Sequence, residues 1–281
     1  MKKRVDLIEA VILFLIIFSL IAIFVEGRGP NNTIIALISV STFLFGILGA
    51  FIMQNRHKRL DELRKTLRID DALYINIYRL SELFGKDKQK KVQEKIDNFY
   101  IKTIDYKLID YCNASKAFLA LFDFLKNLKF KGAKQQKAYE RILNTIMRAN
   151  ENRKYTEYLT RNKMMKFKWV VLIGLQIVIL FGVFYINDNS PAYGILAVIL
   201  STSSMLFLLI LRDLDTLIWK EQKWIWDPLE QVFQELDLIP YYPEPVISSK
   251  RVILKKGVKR RIVYYPHPYP NFSGKKVKIE N

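Results

Sequence analysis

Four apolar runs, at residues 7–25, 34–53, 167–186 and 194–211, each continue for about twenty residues with almost no charge. A helix advances about 1.5 Å per residue, so each run is long enough to cross a hydrocarbon core of about 30 Å. Glu9 sits near one end of the first run and Lys168 near the start of the third, while the second and fourth carry no charge at all. Buried helices of a water-soluble protein keep a polar stripe at helical period, and these runs do not, so the sequence predicts membrane insertion.

The runs pair into two hairpins through the short segments 26–33 (EGRGPNNT) and 187–193 (NDNSPAY), both made of turn-forming residues. In this reading Asn31 and Asn32 belong to a turn and are not a glycosylation site. The chain carries a net charge of +18, and that charge is unevenly placed. The interval 54–168 holds 28 Lys and Arg against 14 Asp and Glu, while Lys2, Lys3 and Arg4 precede the first run. The excess of basic residues on one side predicts a multi-pass protein of the cell membrane with both termini and the long interval in the cytoplasm. The first run is longer than a signal-peptide core and no A-x-A site follows it, so it reads as a retained anchor. Cys112 is the sole cysteine and allows no intrachain disulfide.

The expected fold class is an all-α integral membrane protein, with four transmembrane helices in two hairpins, a long helical cytoplasmic insert and a C-terminal amphipathic helix. The expected segments are a first hairpin at 1–53, a basic helical region at 54–166, a second hairpin at 167–211, an amphipathic helix with a Pro-rich end at 212–245, and a basic tail at 246–281. Within the insert, Leu60, Leu63, Leu67, Tyr74, Ile77, Leu80 and Phe84 fall on one helical face, with Gly85 as its C-cap. Val92, Ile96, Phe99 and Tyr106 begin a second stripe, and residues 114–130 form a third. Tyr139, Ile142, Leu143, Ile146 and Met147 begin a fourth, which continues through Tyr155, Tyr158 and Leu159 toward the third run. No Pro lies between Pro30 and Pro191, which favours helices that continue out of the membrane. The tail is either mobile or a short β-hairpin, with 251–254 and 261–265 as candidate strands.

Motifs for phosphate loops, zinc sites and nucleophilic catalysis are missing, so the sequence points to no enzyme, no catalytic or cofactor-binding residues and no metal site. No nucleic-acid motif accompanies the basic charge. In the second run, Ser39, Thr42, Gly46, Gly49 and Met53 recur at intervals of three or four and make a face of small and weakly polar groups flanked by Phe43 and Phe45. Such a face suits close helix packing, and it also suits a pore with an apolar constriction. Gln176 and the Ser201–Thr202–Ser203–Ser204 run are further candidates for an interior position. Arg56, Lys58, Arg59, Lys163, Lys166 and Lys168, with Trp219 and Trp224, are candidates for contact with the lipid bilayer. The spans lack a central ionisable residue, which disfavours proton-coupled transport.

The chain resembles the bestrophin-like membrane proteins from about residue 7 to residue 245. The resemblance rests on Gly46-Ile47-Leu48-Gly49, on Arg59, Leu63 and Leu67, on Ile77-Tyr78-Arg79-Leu80-Ser81 with Gly85, and on Leu211-Arg212-Asp213-Leu214-Asp215 leading to Asp227-Pro228-Leu229. It implies a homo-oligomeric channel, pentameric in true bestrophins, with the second span lining a pathway for small anions and basic helices forming a vestibule. One departure stands out: only the scattered Asp213, Asp215 and Asp227 stand where true bestrophins carry a dense acidic calcium clasp. The alternative class is a membrane-tethered scaffold or sensor whose basic helices bind anionic lipid or a cytoplasmic partner.

Overall fold

The computed structural model describes residues 7–217, 223–249, 252 and 257–280. The chain is mostly helical. It divides into two compact units, one comprising the chain up to Arg59 with 163–218, the other 60–162 with the chain from residue 219 onward. The expected cytoplasmic tryptophan Trp219, the side chain of Trp224 and most of the candidate strand 251–254 lie outside the described residues.

The first unit holds α1 (Leu7–Phe24), the first part of α2 (Asn32–Ser81), α6 (Lys166–Tyr185) and α7 (Pro191–Asp215). Three apolar helices are long enough to cross a membrane, within α2, within the helical run that ends at Tyr185, and α7; α1 is apolar and shorter. The hairpin turns set the helix starts. The Asn31 side chain accepts from the N–H groups of Thr33 and Ile34, and Ser190 accepts from Tyr193 N–H with Pro191 at the first helical position. The two turns also join, as Arg28 N–H donates to the Tyr185 carbonyl and Gly29 N–H to that of Asn187.

Packing in this unit depends on close helix approach. A methyl group on Gly182 would come within 2.2 Å of the Ile38 side chain, and one on Gly49 within 2.7 Å of the Phe207 ring. Large apolar side chains elsewhere on α1, α2, α6 and α7 remain exposed, among them Ile12, Leu44, Phe51, Ile177 and Leu200. Aliphatic surface on this scale is stable in lipid and not in water.

The second unit is built from the rest of α2, α3 (Lys86–Asp105), α4 (Ser115–Lys126), α5 (Gly132–Arg161), α8 (Lys223–Glu235), a short α9 (Glu244–Ser248) and three strands. α2 is one uninterrupted helix of 50 residues that serves both units, as the absence of Pro predicted. It closes through a short 3-10 turn, and Gly85 at φ 95° ends it, a conformation that favours glycine. Tyr74 and Ile77 of α2, Val92, Ile96 and Phe99 of α3, Phe118 and Leu121 of α4, Ile142 and Ile146 of α5, and Phe233 of α8 form one core.

Two expectations need correction here. The buried ridge of α5 is Ala138, Ile142, Ile146, Ala149, Arg153, Thr156 and Leu159, so Met147, Tyr155 and Tyr158 are exposed. The contact with α2 is partly polar here, as Asn152 donates to the Thr66 carbonyl and to Asp70, each at 2.7 Å. α5 also ends at Arg161 and does not run into α6.

β2 (Arg260–Tyr264) pairs in parallel with β1 (Tyr241–Pro243) and antiparallel with β3 (Lys276–Glu280), which adds a small sheet to an otherwise helical chain. Buried polar contacts hold it to the helices. Asp105 accepts from Tyr241 and Tyr265 at 2.7 and 2.8 Å and from Lys275 at 2.6 Å, and Arg261 makes two 2.6 Å bonds to Asp97.

The acidic pair on α2 has a measurable consequence. Asp70 accepts from Asn152 at 2.7 Å and Tyr111 at 3.2 Å, and Asp71 from Arg68 at 2.8 Å and Tyr100 at 2.9 Å. Burial pushes Asp70 up to about 7 and Asp71 up to about 6, because the hydrogen bonds only partly offset the desolvation of charge. A carboxyl raised in the folded state contributes stability that is full below the unfolded value and is lost as pH rises through the folded one. Asp70→Asn is therefore expected to lose its disadvantage to the unsubstituted protein as pH rises from 5 to 8, in thermal unfolding of the detergent-purified chain. An equal deficit at both pH values would contradict the assignment.

Candidate functional site

At about 100° per residue, the apolar part of α2 presents three faces. Ser41, Phe45, Gly49 and Ile52 are buried, with Phe45 edge-on to Phe207 at 5.5 Å. On a second face Val40, Leu44, Ile47 and Phe51 are large, apolar and exposed. The third face carries Ser39, Thr42 and Gly46, all exposed, with Phe43 at its edge 65 % exposed and Met53 half-buried at its end. Open space surrounds Gly46, and the Ser39 hydroxyl turns back to the Ile35 carbonyl at 2.8 Å.

The sequence-derived set thus separates. Ser39, Thr42, Phe43 and Gly46 stay together on an open surface, whereas Phe45 and Gly49 belong to the packed face, where a ring and a bare backbone accommodate Phe207. Most of the polar residues of the second hairpin turn inward, whereas Ser203 is exposed. Gln176, Ser201 and Thr202 are buried, and Gln176 donates to Ser204 at 2.7 Å between α6 and α7.

At the end of this unit Asp215, the last residue of α7, is buried and joins three chain segments. Its carboxylate accepts from Arg56 of α2 at 3.1 Å and from Met164 N–H, just before α6, at 2.7 Å. Arg59 lies 4.0 Å from the same oxygen and donates to the Asp215 carbonyl at 2.8 Å. Each contact has a local cause. A carboxylate near the start of α6 and a cation on a terminal carbonyl of α7 both complement the helix dipoles. Burial lowers the Arg59 guanidinium to about 10, with Arg56 adding to the fall and Asp215 opposing it, so Arg59 keeps its charge at neutral pH.

Arg59 therefore faces inward, a correction to its reading as a lipid contact, and Arg56 is largely buried with it. Lys58, Lys163 and Lys166 are exposed and Lys168 is half-buried. Sequence reasoning missed the role of Asp215, although the sequence held a signal: an acidic residue directly ending an apolar run needs a cation, and Arg56 and Arg59 follow another such run. Asp213 is bonded to Arg212 and Asp215 to Arg56 and a backbone N–H, so these carboxylates do not fit a calcium cage, which needs six to eight converging oxygens.

Compared with known proteins, the chain matches the family described as the Bestrophin-like domain over residues 9–216, which is most of its length. No curated protein and no solved structure matches it.

Removing one partner of a buried ion pair leaves the other charge uncompensated, at a cost of about 3–5 kcal/mol. Asp215→Asn is expected to lower stability on that scale and to reduce the thermal midpoint of the purified protein by many degrees. A shift no larger than that of a surface control such as Asp61→Asn would contradict the role given to Asp215.

Proposed function

This chain belongs to the Bestrophin-like family, and we propose that it forms a homo-oligomeric channel in the cell membrane that passes small anions along α2. In this reading four helices span the membrane, both termini are cytoplasmic, and copies surround an axis, five of them if the number follows true bestrophins. The observation that carries the proposal is the third face of α2. Its two hydroxyls and bare glycine make a poor surface for lipid, and a single protomer leaves it uncovered. Symmetric copies would turn that face toward a shared axis.

Phe43 would then supply an apolar constriction, where passage depends on wetting rather than on a fixed charge. The exposed Lys58, Lys163 and Lys166 favour anions by raising their local concentration. The apolar stretch of α2 carries no ionisable side chain, so the pathway is passive. We assign no catalytic role to any residue.

Halide flux into proteoliposomes tests this, with oligomeric mass measured on the same sample. Phe43→Ala is expected to raise flux by roughly tenfold, the effect of lowering a barrier by about 1.4 kcal/mol. A folded oligomer that passes no halide, with or without the substitution, would overturn the channel and favour a membrane-tethered scaffold that uses the same exposed lysines on anionic lipid.

A further inference from the structure

The second unit contains an open cleft of about 580 Å³ between α2 and α5, within the range of small-molecule sites. Its lining is regular in sequence. Asn76, Arg79, Leu80 and Leu83 lie three, four and seven residues apart on one side, and Arg141, Asn144, Thr145 and Arg148 repeat the same spacing on the other. Each set is therefore one face of a helix or its final turn. Arg79 is already engaged, donating to Glu235 at 2.8 Å, and the Thr145 hydroxyl turns back to the Arg141 carbonyl. Among the described residues, the side chains of Arg141, Arg148, Asn76 and Asn144 have no hydrogen-bonding or ionic partner. The cleft thus presents two uncommitted guanidinium groups and two uncommitted amides. Leu80 and Leu83 supply apolar surface, and Glu82 is the carboxylate in the lining.

We propose that this cleft binds a small phosphorylated molecule that also carries hydroxyl groups. The guanidinium fork matches the paired oxygens of a phosphate, and seven residues of helix separate the two arginine backbones by roughly 10 Å. That span is wide for one carboxylate, but two long side chains with Asn144 between them can close on a diphosphate. Glu82 repels phosphate and accepts hydrogen bonds from hydroxyl groups, so it suits the sugar or polyol end of the ligand. The family match ends short of assigning any ligand to this cleft, and the pore reading does not depend on it.

Such a ligand could be a free nucleotide or the headgroup of a phosphorylated lipid, and binding to the full-length purified chain separates the two. The probes are inorganic pyrophosphate, ADP, and phosphatidylcholine vesicles with and without phosphatidylinositol phosphate. The test variant is Arg141→Gln with Arg148→Gln. The control is Lys134→Gln with Lys137→Gln, which removes the same charge from exposed positions of α5 outside the cleft. All four positions are exposed, and unfolding curves verify that both variants fold.

Saturable binding of ADP that weakens about tenfold or more in the arginine variant, and is unchanged in the lysine control, would establish the site with a soluble ligand. The same pattern seen only with the phosphoinositide vesicles would establish it with a lipid headgroup. Absence of saturable binding to every probe would overturn the proposal, as would equal weakening in both variants, which would reduce the effect to bulk charge.

Discussion

One buried carboxylate holds the apolar unit together. Asp215 ends α7, receives Arg56 from α2 and the Met164 N–H ahead of α6, and its carbonyl receives Arg59. A buried charge network of this kind contributes little net stability, because desolvation cancels much of the attraction. Its effect is on geometry. Two arginines on α2 are satisfied in one rotation of that helix, and the same rotation seats Phe45 and Gly49 against Phe207 and Ile38 against Gly182. With that rotation set, Ser39, Thr42 and Gly46 have nowhere to pack within the protomer. The open face of α2 follows from interactions made elsewhere along the helix.

The second unit likewise buries carboxylates and gives them hydrogen-bond donors. Asp70 and Asp71 are held by Asn152, Tyr111, Tyr100 and Arg68, while Asp105 is shared by two tyrosines and Lys275. Arg153 donates to Ser115 at 2.8 Å and lies over the Phe118 ring, so even the buried cation of α5 has a place in the core. Such networks make a core specific about which helix faces meet, because sliding one helix along another would leave a charge unpaired.

Apolar length and helical spacing carried most of the fold. The four apolar runs appear as α1, part of α2, α6 and α7, and the missing prolines foretold the continuity of α2 through Ser81. Polar partners at the core were harder to read. Between Leu67 and Tyr74 the buried Asp70 takes a hydrogen bond from Asn152 of α5, a contact that apolar spacing does not record. The C-terminal sheet was legible only in part, since the candidate strand 261–265 overlaps β2 while its pairing partners were not foreseen. Its strands are three to five residues long, and β1 pairs with β2 across a separation in sequence that no local pattern records. On α2, spacing alone joined Phe45 and Gly49 to Ser39 and Thr42; only the position of Phe207 separates packing from open surface.

If the small, hydroxyl-bearing face of α2 lines an ion pathway, as proposed, its residues are reached by water and those of the Leu44 and Phe51 face by lipid. The most direct measurement introduces cysteine at Thr42, Gly46, Leu44 or Phe51 in a Cys112→Ser background and records halide flux after a charged, membrane-impermeant thiol reagent. Inhibition is expected at Thr42→Cys and Gly46→Cys, with Leu44→Cys and Phe51→Cys unaffected. Inhibition confined to the Leu44 and Phe51 face, or flux insensitive to the reagent at all four positions, would contradict the proposal.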